Sequence, residues 1–279
     1  MDTAIFFDPR DWNGGPLARA RLRWLLEVGG RPIDTAHRYE AGYLFAGDRG
    51  IADYDQLVRL RPHLRDRPQQ RHELQDLSRV LARLPGIPTP RTWRLELDAP
   101  LPDDLRHPLF VRTARSSWKL GGAVSRVRTQ AELDAECQEL RRAFGWNAPI
   151  LAREWIDLAP AGEWRRGPLP QEVRVWIVDG VPAAWSFHHI HVIPAPQGFP
   201  PSDCDLDRLR TYASQIGRAF VARLVVADFA RDRRGAWWLI EADNGSPAGT
   251  AHEQVFKIVA QRLVGRAARP FADTVGGAW

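Results

Sequence analysis

The sequence predicts an α+β protein whose main sheets are built from antiparallel hairpins rather than from parallel strand–helix–strand units. Three observations carry that prediction. Two stretches read as strand, turn, strand: "EVRVWIVDGVPAAWSFHH", turning at Asp179–Gly180, and "LVVADFARDRRGAWWLIEAD", turning between Arg231 and Gly235. Helical periodicity occupies the gaps, over about 129–145, 205–222 and 251–266. No internal repeat runs through the chain.

The elements follow in order. "AIFF" is a short apolar strand, and "PLARARLRWLLEVG" is an amphipathic helix opened by proline and closed at Gly29–Gly30. Residues 67–84 set Leu74, Leu77, Val80, Leu81 and Leu84 on one helical face, with Gly86 as the stop. The prolines of "LPGIPTP" exclude helix and give an extended connector into a strand. That connector, near 86–92, is the first lobe boundary. "HPLFVRTARSSWKLGGAVSRVRT" reads as strand, Gly-rich loop, strand. Thr129, with Glu132 three residues on, opens a helix that runs to Gly145. "APILAREWIDL" is a strand and "APAGEWRRGPLPQ" a loop or insertion; the two hairpins and the last two helices follow.

Composition bounds the function. The 279 residues suffice for one large domain or a few small lobes. No run approaches the roughly 18 apolar residues of a membrane span. The N-terminal "MDTAIFFDPRDWNGG" has an acid where a secretion signal has basic residues, so a cytoplasmic protein is expected. Cys137 and Cys204 lie far apart without metal-type spacing, and they are expected to be unpaired. The net charge of +5 favours anionic partners, a nucleotide, a phosphate or an acidic peptide; without a block of five like charges a nucleic-acid groove is not favoured. Among 39 basic residues only Lys119 and Lys257 are lysine, so each marks a place where a compact ammonium is required, or a chance survivor.

The chemistry concentrates at "WWLIEADNGSPAG". Alternation along a strand points Glu241 and Asp243 the same way, together with Leu239. Asp228 lies in the facing strand, and the turn brings it near Glu241. Two readings stand. Three carboxylates on one patch suit a hard divalent ion such as Mg²⁺, with oxygen ligands at roughly 2.1 Å; or the acids pair with the abundant arginines at a sheet edge.

These residues resemble the ATP-grasp superfamily, whose members hold ATP between two α+β lobes and activate carboxylates as acyl phosphates. The family's metal hairpin has an acid, about twelve residues, then Glu-x-Asn and a Gly/Pro/Ser loop. Here Asp228 stands thirteen positions before Glu241, and Asp243 stands where the asparagine would be, with Asn244 as the alternative after a one-residue slip. "LPGIPTPRT" resembles the connector into the core, and "PLFVRTARSSWKLGGAVSRV" the strand, phosphate loop and strand. The resemblance implies phosphate contacts from Arg112, Lys119, Gly121 and Gly122. In isolation, "SSWKLGG" is also a plain hairpin turn. "ILAREWIDL" is similar to the segment that reads the adenine edge, which implies roles for Glu154, Trp155 and Ile156. "EVRVWIVDG" is similar to the following strand, which implies Glu172 on the ribose and Arg174 on the phosphates; an exposed ion pair is the other reading of those two.

The resemblance spans residues 85–265. It implies an ATP-grasp fold with a small N-terminal α/β lobe over 1–86 on the acceptor side, a small lobe with the Gly-rich loop over 87–153, and a large lobe with the Mg²⁺ hairpin over 154–279. The implied activity is an ATP- and Mg²⁺-dependent, ADP-forming carboxylate–amine ligase. Its implied catalytic residues are Lys119 and Arg174, its metal ligands Asp228, Glu241 and Asp243, and its substrates an amino acid, a peptide or another small molecule. The arginine-for-lysine pattern also resembles a phage and bacterial ATP-grasp group named for an arginine and two lysines. Members of that group are linked to nucleic-acid or peptide ligation, so an RNA-directed ligase or kinase is the alternative, and a non-catalytic nucleotide-binding protein a further one. His189 and His191 of "FHHIH" share a strand face with no third metal ligand in view; with His188, they read equally as buried or substrate-facing residues.

Overall fold

The structure is a computed structural model and describes residues 3–7, 16–34, 41–44, 64–65, 70, 73–97, 99–115, 126–164, 167–189, 193, 199, 201–245, 252–265 and 276–278. Among the described residues, no helix is long and apolar enough to cross a membrane. The chain begins with a parallel sheet ordered β2–β1–β3–β4, made of β1 (Thr3–Phe7), β2 (Arg31–Pro32), β3 (Ala41–Leu44) and β4 (Leu64–Arg65). Helix α1 (Pro16–Glu27) follows β1 and buries Trp24 and Leu25.

A second sheet, ordered β5–β8–β6–β7, is antiparallel throughout. It comprises β5 (Thr92–Leu95), β6 (Leu109–Thr113), β7 (Arg126–Val127) and β8 (Ile150–Glu154). Between β7 and β8 lies α3 (Gln130–Phe144). The Thr129 hydroxyl accepts from the Glu132 N–H at 3.2 Å, and Gly145 ends the helix with φ 99°, a value a side chain would strain. Alternation gives this sheet two faces. Leu109, Val111, Ile150 and Ala152 pack on Leu133 and Leu140 of α3. Phe110, Arg112, Leu151 and Arg153 occupy the opposite face, Phe110 facing Arg153 and Arg112 facing Leu151 across the strands.

The third sheet is also antiparallel, ordered β14–β13–β11–β12–β15. Its members are β11 (Glu172–Val178), β12 (Val181–Phe187), β13 (Leu224–Arg231), β14 (Trp237–Asn244) and β15 (Gly276–Ala278), a strand the sequence reading does not contain. The β11–β12 turn takes positive φ at both Asp179 and Gly180, as a two-residue hairpin loop requires. On one face lies α4 (Asp203–Ala219), whose Leu209, Ala213 and Ile216 meet Val173, Val175, Val225 and Phe229. Gly217 lets α4 settle on the hairpin turn, since a Cβ there would stand 2.1 Å from the Gly180 carbonyl oxygen. On the other face α5 (Glu253–Leu263) and α1 cover Trp176, Val178, Leu224 and Val226. Ile5 and Phe7 of β1 join that same core, so the N-terminal sheet is anchored to the third sheet through shared apolar contacts. Lys257 ties α5 to α1, its ammonium 2.5 Å from both Glu253 and Glu27. That lysine is structural. Both cysteines are free, and burial pushes the Cys137 thiol up to about 11.

Three local expectations change. "APAGEWRRGPLPQ", expected as a loop or insertion, is a hairpin, β9 (Pro160–Trp164) paired with β10 (Gly167–Pro170). The helix expected over 67–84 is not continuous: Gln70 is helical, residues 73–76 are turn and extended chain, and α2 spans only Leu77–Ala82. Asp76 is the reason: its backbone is extended and its carboxylate accepts from the Ser78 N–H at 3.1 Å, so it starts a helix rather than continuing one. Leu74 is still buried, from the turn before the cap.

Third, Leu239 does not share a face with Glu241 and Asp243. Asp228 pairs with Glu241, but the next residue, Phe229, pairs with Leu239, leaving Ile240 as an extra residue in β14. This bulge reverses the phase of the strand. Trp237, Leu239 and Ala242 enter the core on the α4 side, while Glu241 and Asp243 turn to the other face.

The Asp76 carboxylate also binds Arg94 of β5 at 2.7 Å. Burial raises its proton affinity, but Ser78 and Arg94 outweigh that and hold the group below the usual carboxylate range. A depressed acid contributes stability above its unfolded value, about 3.9, and loses it as pH falls through the folded one. Asp76→Ala is therefore expected to cost about 1–2 kcal/mol at pH 7, measured by urea unfolding. The gap to the wild type should close as the pH is taken below about 3.5.

Candidate active site

The third sheet changes chemistry along one face. Leu224, Val226, Trp176 and Val178 are apolar where α1 and α5 cover them. One or two positions further along the same face stand Asp228, Arg174, Glu172 and Glu241. The strand registers align four residues in a row across the sheet: Glu241, Asp228, Arg174 and Ser186. Asp243 lies opposite Val226 and so shares this face, whereas Asn244 lies opposite Val225, whose side chain belongs to the α4-side core.

Asp228 and Ser186 are buried and Arg174 and Glu241 only slightly exposed, so the charges of the row must be matched. Asp228 is 3% exposed, and Arg174 grips it with two parallel bonds, Nε to Oδ1 and Nη2 to Oδ2, each 2.8 Å. Burial draws protons off Arg174, but the Asp228 carboxylate outweighs burial and raises its value further. Glu241 takes its partner from the second sheet: Arg112 Nη2 donates to Oε1 at 2.9 Å. Arginine pairing, the second of the two readings of these acids, is thus realised in the structure, but in a buried cleft rather than at an exposed edge.

Arg153 also reaches β14. Its Nη1 donates to the Ile240 carbonyl at 2.6 Å, its Nη2 to the Leu239 carbonyl at 3.5 Å, and its Nε to the Thr92 hydroxyl at 3.2 Å. The Leu239 N–H donates to the Pro88 carbonyl of the connector. Arg153 is fully buried, and no carboxylate among the described residues bonds it. Burial, with Arg112 nearby, pushes its guanidinium down to about 9 against the pull of Glu241. Sequence reading passed over this residue, although alternation sets it beside Leu151 on a strand where a charge is costly.

On the far side of Asp228 lie two histidines. His188 Nδ1 stands 3.9 Å from Asp228 Oδ1, and His189 Nε2 stands 3.2 Å from Glu172 Oε2. Burial raises the proton affinity of Glu172, but the His188 and His189 charges prevail and lower it. Potential metal donors of Glu172, His188 and Asp228 lie within 4.8 Å of one another. Both described histidines thus meet acids, His188 joining Asp228 and Glu172 in the donor cluster and His189 pairing with Glu172, while His191, the other half of the pair suggested by alternation, lies outside the described residues.

Beside the row is a cavity of about 240 Å³ between the second and third sheets. Glu154, Trp155 and Ile156 form one wall, with Phe110, Arg153, Glu172 and Ile240 around it and Leu169 of the β9–β10 hairpin across from them. The Trp155 N–H donates to the Pro108 carbonyl at 3.1 Å, and the Arg126 guanidinium lies 5.3 Å above the indole, which fixes the segment between the lobes. Lys119, Gly121 and Gly122 lie outside the described residues.

A family model described as an ATP-grasp domain, family 3 of the clade named for one arginine and two lysines, matches residues 91–263, well over half of the chain. The chain belongs to that ATP-grasp family. Solved structures agree on the fold. The ATP-grasp chain is similar to D-alanine–D-alanine ligase from Bacillus anthracis complexed with ATP, with TM-score 0.61 and 13% identity over 95% of this chain and 96% of that one. A second structure of that ligase aligns at TM-score 0.58 and 13% identity, covering 88% of this chain and 86% of the other. A sequence comparison with curated proteins finds no match. The ATP-grasp fold puts the nucleotide between two lobes, and here the second and third sheets meet around the cavity just described.

The donor set suits Mg²⁺: carboxylate oxygens on one face, at the open end of a hydrophobic sheet, beside cations suited to phosphate. Removing Arg174 strands a buried carboxylate. Arg174→Met is expected to destabilise the protein by about 3–5 kcal/mol in chemical unfolding. Adding Asp228→Asn should return most of that loss; a single-variant loss below about 1 kcal/mol contradicts the pairing.

Proposed function

We propose that this chain is an ATP-dependent, ADP-forming ligase that joins a carboxylate to an amine on an amino-acid or peptide substrate. The observation that supports it most is the buried row Glu241–Asp228–Arg174 beside a cavity walled by Glu154, Trp155 and Ile156. The similarity to a D-alanine–D-alanine ligase complexed with ATP supports the same reaction type. In this reading residues 87–153 form the small lobe, residues 154–279 the large lobe, and residues 1–86 contribute to the acceptor side.

Each residue has a defined task. Trp155 and Ile156 meet the base through their backbone, and Glu154 belongs to the same wall. Glu172 accepts from the ribose hydroxyls. Arg112, Arg174, Lys119 and the backbone of Gly121 and Gly122 hold the phosphates. Asp228, Glu241 and Asp243 hold Mg²⁺; Asp243 is preferred to Asn244 because it shares the face of the other two. When bound, Mg²⁺ supplies positive charge that offsets the charge on the transferred phosphoryl oxygens. A substrate carboxylate oxygen attacks the γ-phosphorus, the bond to the bridging oxygen breaks, and ADP leaves. An amine then attacks the acyl carbon, the carbon–oxygen bond to phosphate breaks, and the amine's proton is lost to solvent. Arg112 and Arg174 stabilise charge at both steps without themselves transferring a proton. The reaction asks little general-base chemistry of the protein, which agrees with the lack of a nucleophile–base pair among the described residues.

The test is ADP and phosphate release on incubating the protein with ATP, Mg²⁺ and an amino-acid or dipeptide library. Glu241→Gln is expected to lower turnover by at least about 100-fold with the fold intact by circular dichroism. Unchanged turnover in that variant would refute the metal assignment.

A further inference from the structure

We propose that Arg153 is a positioning residue that holds the β14 bulge and thereby turns Glu241 and Asp243 to the metal-binding face. The proposal rests on the reading of Asp228, Glu241 and Asp243 as metal ligands. In a regular strand successive carbonyls point to opposite sides, so one guanidinium cannot bond both from a single side. At β14 it does: Arg153 reaches the Leu239 and Ile240 carbonyls together, at the point where Ile240 is the extra residue. The bulge would otherwise leave a buried carbonyl without its ladder partner. The third contact, Nε to the Thr92 hydroxyl, fixes the guanidinium from its own sheet.

The geometry has a direct consequence for the acids. Without the bulge, Glu241 and Asp243 would continue the phase of Leu239 into the α4-side core, and Ala242 would face Asp228's side. Arg153 also lines the nucleotide cavity, so the side chain that holds the acids in phase borders the site of the base and sugar. Arg112 and Arg153 stand on one face of the second sheet, so both the carboxylate and the bulge of β14 are gripped from the same surface.

Charge and positioning predict opposite results when Arg153 is removed. Taking away a positive charge near the acids should tighten binding of a divalent cation. Losing the hold on the bulge should weaken it. The experiment is Mn²⁺ binding to the nucleotide-free protein, followed by loss of the free-ion electron paramagnetic resonance signal. Wild type, Glu241→Gln, Arg153→Met and Thr92→Val are compared. The expected result is an Mn²⁺ dissociation constant raised about tenfold in Arg153→Met and about threefold in Thr92→Val, which keeps every charge. Tighter or unchanged binding in Arg153→Met overturns the proposal. If Arg153→Met does not fold, unchanged affinity in Thr92→Val overturns it. Binding that Glu241→Gln weakens but the other variants leave alone defeats the positioning role and spares the metal reading. No Mn²⁺ binding by the wild type defeats both.

Discussion

Two carboxylates buried on one face of a sheet form the constraint around which this molecule is arranged. Asp228 and Glu241 face each other across β13 and β14 with little access to water. An ionised carboxylate in such a place is tolerated only with a partner of opposite charge and good geometry. The partners come from different parts of the fold. Arg174 lies on the neighbouring strand, directly opposite Asp228, and Arg112 comes from the other lobe's sheet. The first pair is local to the third sheet. The second spans the cleft, so the placement of the lobes and the neutralisation of Glu241 are a single requirement.

That requirement explains the change along the face. Where α1 and α5 lie against the sheet, its residues are apolar and need only close packing. Where the helices stop, the same strands carry acids and arginines, and the space is shared with the second sheet and the cavity. Buried polar groups at such a boundary are matched by specific partners rather than by solvent, and this gives the site a defined geometry before any ligand arrives.

Much of this was legible in the chain. The two hairpins show as β-branched and aromatic runs around Asp179–Gly180 and the 231–235 turn, and α3 shows by its Thr129 cap. The pairing of Asp228 with Glu241 follows from hairpin symmetry about that turn. The bulge does not, because one extra residue in "WWLIEAD" leaves no mark on composition, and only the register across β13 exposes it. The Arg112–Glu241 and Arg153–Ile240 contacts link residues 129 and 87 positions apart and depend on how two sheets meet. The β9–β10 hairpin was hidden by prolines, which a short ribbon at the edge of the cavity tolerates. Lys257 was conspicuous as one of two lysines, and its compact ammonium serves as a tie between two helices.

The guanidinium groups that neutralise Asp228 and Glu241 also make the site competitive. Under the proposed metal role, a divalent ion would not meet bare carboxylates; it would meet oxygens that already hold a counterion fixed to the polypeptide. Its measured affinity is therefore the difference between two associations, and weak monovalent ions have little prospect of displacing a bidentate grip. In that reading the displaced arginines would stay in the cleft, with an oxyanion of the nucleotide as their replacement partner. In the proposed reading, cation uptake and nucleotide uptake would be one exchange of partners, with the protein's own charges acting as placeholders.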